Sequence, residues 1–365
     1  MKISNKIIAL LLILCLAFSL AACGNQAPGN YGQSMGGQEQ NDGETGDGQN
    51  GGEASGPVTV TDQAGREVTI EGPVEKIVSG YYISSSACIA LGLTEKMAGI
   101  EAKAASRPIY KLAAPGLMDL PNVGTAKEFD LEGCIALEPD LVILPLKLKD
   151  SAETMTKMGI PTILVNPESH ELLVEAIELI ARAAGADAAA DKLIAYYNTE
   201  MAEIDQLTGE LSEDARPLVY MSGNSSYLTT SPRDMYQSSL ISAAGGKNAA
   251  GEIEGASWTE VSYEQLLAMD PQVIVIPAEA AYEKEDILKD PQLTGLAAVK
   301  AGAVYKMPDA FEAWDSPVPS GILGSKWLLS VLHEDLYPFS DFQADVKAFY
   351  GEFYGAEIDE ALVTK

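Results

Sequence analysis

Tyrosine, tryptophan, lysine and arginine collect at a few short stretches of this chain, each close to a run of apolar residues. Tyr81 and Tyr82 follow Val78, while Lys103, Arg107 and Tyr110 follow Ile100, and Lys147 follows Leu144. Tyr227 and Arg233 follow Met221, Trp258 precedes a further apolar run, and Phe311 and Trp314 follow Met307. Cations attract an anion, and planar rings supply contact area at low entropy cost. The chemistry these residues fit is capture of an anionic small molecule. Trp314, in a loop beside Asp315-Ser-Pro, is the leading candidate for direct contact, with Tyr81 and Tyr82 next.

Catalysis has little to stand on. Gly245-Gly246-Lys247 lacks the Gly-x4-Gly-Lys spacing of a phosphate loop, and no Gly-x-Ser-x-Gly elbow occurs. A bare transition metal needs converging imidazoles and carboxylates. Only His170 and His333 are present, and their places at a helix start and a helix end read as surface structure. A resident cofactor is not expected, and no metal site is assigned.

The N-terminus reads as an export signal, residues 1–22. Lys2 and Lys6 are its charged region, and Ile7 to Leu20 its apolar run of about 14 residues, short of a membrane span. Leu20-Ala21-Ala22-Cys23 has the pattern of a bacterial lipobox, so Cys23 is the expected lipidation site. The rest of residues 23–57 is mainly Gly, Asn, Gln, Asp, Glu and Ser with almost no apolar residues, too polar to offset chain entropy. It reads as a loose tether reaching about 30 Å. Such a protein sits on the extracytoplasmic face of a membrane, held through lipid alone, and the long tether suits a single-membrane bacterium.

The formal charge of −29, or −31 without Lys2 and Lys6, argues against nucleic acid as a partner. Against that background, basic residues in a cleft would make a local positive basin. Cys88 and Cys134 sit in apolar helical stretches and read as buried free thiols, with a disulfide as the alternative in an oxidising compartment.

The elements that must position these side chains repeat. Phe129 to Pro145 (FDLEGCIALEPDLVILP) recurs at Val261 to Pro277 (VSYEQLLAMDPQVIVIP), offset by 132 residues without a gap. Glu132 matches Glu264, Pro139 matches Pro271 and Pro145 matches Pro277. Each copy is a short amphipathic helix stopped by proline, then an all-apolar run typical of a parallel strand buried on both faces. Around them strands and helices alternate: a hairpin over Val58 to Ile70, strands at Lys76 to Ser79, Met97 to Ile100 and Pro161 to Asn166, and a helix over His170 to Ala184. Ser84 to Ser86 are placed to cap a helix running to Leu91. Residues 186–211 form one long helix without interior Gly or Pro before Gly209, nearly 40 Å if fully helical. The expected organisation is therefore an α/β lobe over 58–185, a joining helix over 186–211, and a second α/β lobe over 212–365.

This order, with Val60 to Ile70 (VTDQAGREVTI), Asn122-Val-Gly124, Leu137 to Ile143 (LEPDLVI) and Trp314-Asp-Ser-Pro317, resembles the substrate-binding lipoproteins of ABC importers for iron–siderophore complexes, haem and vitamin B12. The resemblance runs from about Val58 to Gly355. It implies two Rossmann-like lobes joined by one long helix, the class III periplasmic-binding-protein fold. It also implies a ligand, here a metal chelate, held between the lobes of a monomer. The implied partners are an ABC permease and its ATPase. The resemblance further assigns Glu132 and Glu264, one per lobe, to pairing with permease arginines, a two-point dock. Two alternatives remain: an oxyanion such as molybdate or tungstate held by hydroxyls and backbone N–H groups, and an enzyme of the two-lobed nitrogenase-cofactor type, which two isolated cysteines do not support.

Overall fold

A computed structural model describes residues 56–365. The export signal, Cys23 and nearly all of the tether lie outside the described residues. The described chain opens with an antiparallel pair, β1 (Val58–Thr61) and β2 (Glu67–Ile70). Its turn explains the Asp-Gln-Ala-Gly-Arg phrase. Asp62 accepts hydrogen bonds from the Ala64 and Arg66 N–H groups, pairs with the Arg66 guanidinium at 2.6 Å, and accepts from Leu164 N–H at 3.1 Å. Gln63 adds bonds to Leu172 and Asn166, so the hairpin is fastened to the first lobe.

The first sheet contains β3 (Ile77–Ser79), β4 (Met97–Gly99), β5 (Leu141–Pro145) and β6 (Thr162–Val165), all parallel, in the order β4-β3-β5-β6. Its connections carry α1 (Tyr82–Ala90), α2 (Pro108–Ala113), α3 (Leu131–Ala136) and α4 (Lys149–Lys157), and α5 (His170–Ala184) follows. The second sheet contains β7 (Leu218–Met221), β9 (Lys247–Asn248), β11 (Val273–Ile276) and β12 (Val304–Lys306), also parallel, in the order β12-β11-β7-β9. A small ladder joins β8 (Thr229–Thr230) to β10 (Thr259–Glu260). Numbered from each lobe's first parallel strand, both sheets read 2-1-3-4. The repeated phrase thus belongs to a repeated topology, with β5 and β11 as equivalent central strands.

The repeat is also visible in the backbone. Asp130 caps α3 by accepting from Gly133 N–H at 2.8 Å, and Ser262 with Gln265 forms a capping box at α8 (Tyr263–Met269). Glu138 and Asp270, each directly before its proline, adopt φ of 50° and 43°. Proline closes the α region to the preceding residue, and the left-handed turn ends both helices at the same step.

Between the lobes runs α6 (Asp187–Thr208), 22 residues or about 33 Å. Leu193, Tyr197 and Ile204 are buried along it, and it packs on α5 of the first lobe and on α7 (Tyr236–Ala243) and α11 (Gly321–Leu332) of the second. Lys326 on α11 is buried among Glu200 and Glu203 of α6 and Asp345 of α12 (Phe339–Phe353), with the Glu203 contact at 3.1 Å. Two short helices, α9 (Lys284–Leu288) and α10 (Ala297–Ala301), complete the second lobe.

Several expectations are corrected. His170 and His333 are buried: His170 Nε2 lies 3.0 Å from Ser325 Oγ and His333 Nε2 lies 3.2 Å from the Gly245 carbonyl. Burial lowers the His170 pKa to about 4, so the ring is neutral and serves as a polar rivet between α5 and α11. Ser84 to Ser86 do not cap α1, which begins earlier at Tyr82 and carries them as buried interior residues. Cys88 and Cys134 are free and buried, as expected, and burial pushes both thiols up to about 12. Among the described residues no helix is long and apolar enough to cross a membrane.

Candidate functional site

Residues just past the C-terminal ends of β3, β4, β5, β6, β7 and β11 face one another across a cleft of about 680 Å³. They are Tyr81, Glu101 and Lys103, Lys147, Glu168, Asn224 and Glu279 respectively. That is where open parallel sheets offer their loops to ligands. From the first lobe come also Tyr82, Arg107 and the loop Thr125 to Glu128. Gly124 makes this loop: at φ 82° it leads into a tight turn in which Thr125 and Glu128 exchange backbone hydrogen bonds, and a Cβ there would meet the Glu128 carbonyl oxygen at 2.1 Å. The second lobe contributes Met235, Tyr236, Gln237, Trp258 and Asp315 to Pro317.

Arg107 links the two walls of the cleft. Its guanidinium lies 4.0 Å above the Tyr82 ring, 3.6 Å from Glu101 and 3.1 Å from Glu279 on the opposite lobe. Glu101 is buried and accepts from Ser85 Oγ at 2.5 Å and Tyr110 OH at 3.1 Å. Burial raises its pKa, and burial likewise raises that of Glu168. Asp315 is pushed up to about 6 by burial, with Glu279 adding to the effect against a hydrogen bond from Ala278 N–H.

Lys103, Lys127 and Lys147 are exposed on the first-lobe wall, and none has an ion-pair partner among the described residues. The basin is not positive overall. Four cations (Lys103, Arg107, Lys127, Lys147) share the lining with five carboxylates (Glu101, Glu128, Glu168, Glu279, Asp315). The positive character is confined to one wall, and three of the carboxylates are held toward their neutral form. Several buried polar atoms here lack a hydrogen-bond partner: Arg107 Nε, Asn224 Oδ1 and Gln237 Oε1. Unpaired buried polar atoms are costly, and a bound polar ligand would relieve them.

Of the residues singled out from sequence, Tyr81, Tyr82, Lys103, Arg107, Lys147 and Trp258 line the cleft. Tyr110 is buried behind it, its hydroxyl on Glu101 and the Tyr82 carbonyl. Tyr227 turns away, donating to Asp290 at 2.8 Å, and Arg233 pairs with Asp234 and Glu254 at the surface. Phe311 is buried beside a smaller adjoining cavity. Trp314 is fully buried, stacked on Phe311 with its Nε1–H donating to Tyr350 OH at 2.9 Å. Its indole is core packing, and its chain neighbours Asp315 to Pro317 face the cleft instead. Trp258 is the one tryptophan of the described residues with exposed surface. Sequence reasoning missed Lys127, Glu168, Gln237 and Glu279; the strand-end rule could have found Glu168 and Glu279, which stand directly after β6 and β11.

Glu132 and Glu264 are exposed in the first turns of α3 and α8. Hydrogen bonding to its own N–H and to Ser262 holds the Glu264 carboxyl below its ordinary value.

A family model described as periplasmic binding protein matches residues 77–311. The molybdate-binding protein MolA of Haemophilus influenzae is 26% identical over 322 residues, covering 81% of this chain and 90% of its own. The uncharacterized ABC transporter substrate-binding lipoprotein YvrC of Bacillus subtilis is 27% identical over 265 residues, covering 69% of this chain and 79% of its own. A periplasmic solute binding protein from Veillonella parvula superposes with a TM-score of 0.74 at 25% identity, over 84% of this chain and 95% of that one.

Proposed function

Since this chain belongs to the periplasmic binding protein family, as the substrate-binding component of an ABC importer, we propose that it captures a metal chelate between its lobes and delivers it to the permease. The chelate is an iron complex, a ferric siderophore or haem, or a corrinoid. The protein acts by binding alone, as a monomer outside the cytoplasmic membrane, held through a diacylglycerol on Cys23. Lobe boundaries near residues 58, 186 and 212 fit this reading. So does a dock in which exposed Glu132 and Glu264 meet permease arginines.

The size of the cleft carries the proposal. A volume of about 680 Å³ is that of a drug-sized ligand. A tetrahedral oxyanion, counted as a few water volumes, needs only on the order of 100 Å³. Three unpaired lysines on one wall and the Trp258 ring on the other suit a bulky anion with apolar surface. Neither histidine faces the cleft, so haem would be held without imidazole ligation from this chain.

One observation favours a second reading. The relative that covers 90% of its own length is named for molybdate binding, and Arg107 with the lysines offers oxyanion chemistry. Titration separates the two. A ferric hydroxamate, haem or cobalamin should bind with micromolar or tighter affinity, seen as a change in its own visible band. Heat from molybdate alone, with no spectral change for any chelate, would reject the chelate reading in favour of the oxyanion.

A further inference from the structure

The Arg107–Glu279 pair divides the groove between the lobes into two chambers. Behind the large cleft lies a second cavity of about 270 Å³, and Tyr82, Arg107 and Glu279 line both. Its charge is opposite in sense to the lysine wall. Glu279, Asp309 and Glu312 face it, against Arg107, which Glu101 and Glu279 already engage. Glu312 is only 5% exposed, and its carboxylate is half satisfied. Ser320 Oγ and Tyr354 OH both donate to Oε2, the latter at 2.9 Å, while Oε1 has no hydrogen-bond partner. A buried carboxylate oxygen left without a donor is costly.

We propose that this rear cavity is a second ligand subsite, built for a primary ammonium carried on an arm of the ligand. Resting on the chelate reading above, it names the class of chelate: zwitterionic, with an anionic body against Lys103, Lys127 and Lys147 and a cationic arm passing Arg107 to reach Glu312. Burial raises the Glu312 pKa, against the pull of its hydroxyl neighbours and of Arg107. An arriving ammonium supplies both the missing donor and the countercharge. No cluster of three metal-ligating side chains occurs among the described residues, so a bare metal ion is not the occupant.

The test compares a ferric tris-catecholate, whose body is anionic, bearing a free terminal ammonium on a flexible arm with the same chelate N-acetylated, each titrated into the intact protein. The free amine should bind about tenfold more tightly. That preference should fall to within about threefold in Glu312→Gln, and equally in Ala280→Leu, which fills the cavity from its rim should the first variant fold poorly. Equal affinity of the two chelates for the unaltered protein overturns the subsite while leaving the chelate reading intact. A preference that survives both variants also overturns it, because the ammonium is then read elsewhere. Binding of neither chelate rejects the catecholate form of the chelate reading and the subsite with it.

Discussion

Trp258 and Trp314 show why residue type alone misdirects. Both are large aromatics in loops, but Trp314 is sealed beneath Phe311, Phe342 and Tyr350, while Trp258 faces the cleft. Trp314→Ala should cost about 3–5 kcal/mol of stability, the ordinary toll of emptying a large core site, measured by denaturant unfolding. Trp258→Ala, at a partly buried ring, should cost clearly less stability than Trp314→Ala and weaken chelate affinity about tenfold in the titration. Asp315 provides the pH test. Its pKa in the fold, about 6, stands above the unfolded value near 4, so the fold binds the proton more tightly. Its contribution to stability is therefore present below pH 4 and lost as pH rises toward and past 6. Anion affinity should follow the same direction, rising on acidification from pH 7.5 to 5.5 as one negative charge leaves the cleft. Asp315→Asn should flatten both dependences, read as melting temperature and dissociation constant against pH.

At the scale of elements, what was legible followed from backbone rules. Apolar runs gave β5 and β11, prolines ended α3 and α8, and unbroken helix formers gave α6. The strand-end rule found one wall of the cleft, because lysines and tyrosines follow β3, β4 and β5 directly. The other wall was harder. Met235 to Gln237 reach the cleft from the first turn of α7, and Asp315 to Pro317 from a loop, and no periodicity encodes the course of the segments that lead there. The histidines were misread because helix ends are usually wet, whereas α5 begins against α7 and α11, with Tyr197 and Tyr236 packed around the His170 ring. The paired helix starts carry a prediction of their own. Glu132→Lys with Glu264→Lys should abolish uptake into cells while the dissociation constant of the isolated protein stays within about twofold. An equal loss of affinity would remove the docking role.

For the whole molecule, the long helix is fastened on both sides. Lys326 ties α6 to α11 and α12, and His170 joins α5 to Ser325 across the lobes. Lys326→Ala should destabilise by roughly 2–4 kcal/mol, less than a fully buried pair because Glu203 is half exposed, leaving three carboxylates to repel one another. Cargo should raise the melting temperature in proportion to the logarithm of its excess over the dissociation constant. Fastenings on the helix side of the groove should leave the two halves little freedom to swing, and an unladen molecule should then keep nearly the silhouette of a laden one. The transporter then receives no gross signal of which arrives. Empty copies should compete for its entrance, and excess unladen protein added to reconstituted vesicles should slow import in proportion to its concentration.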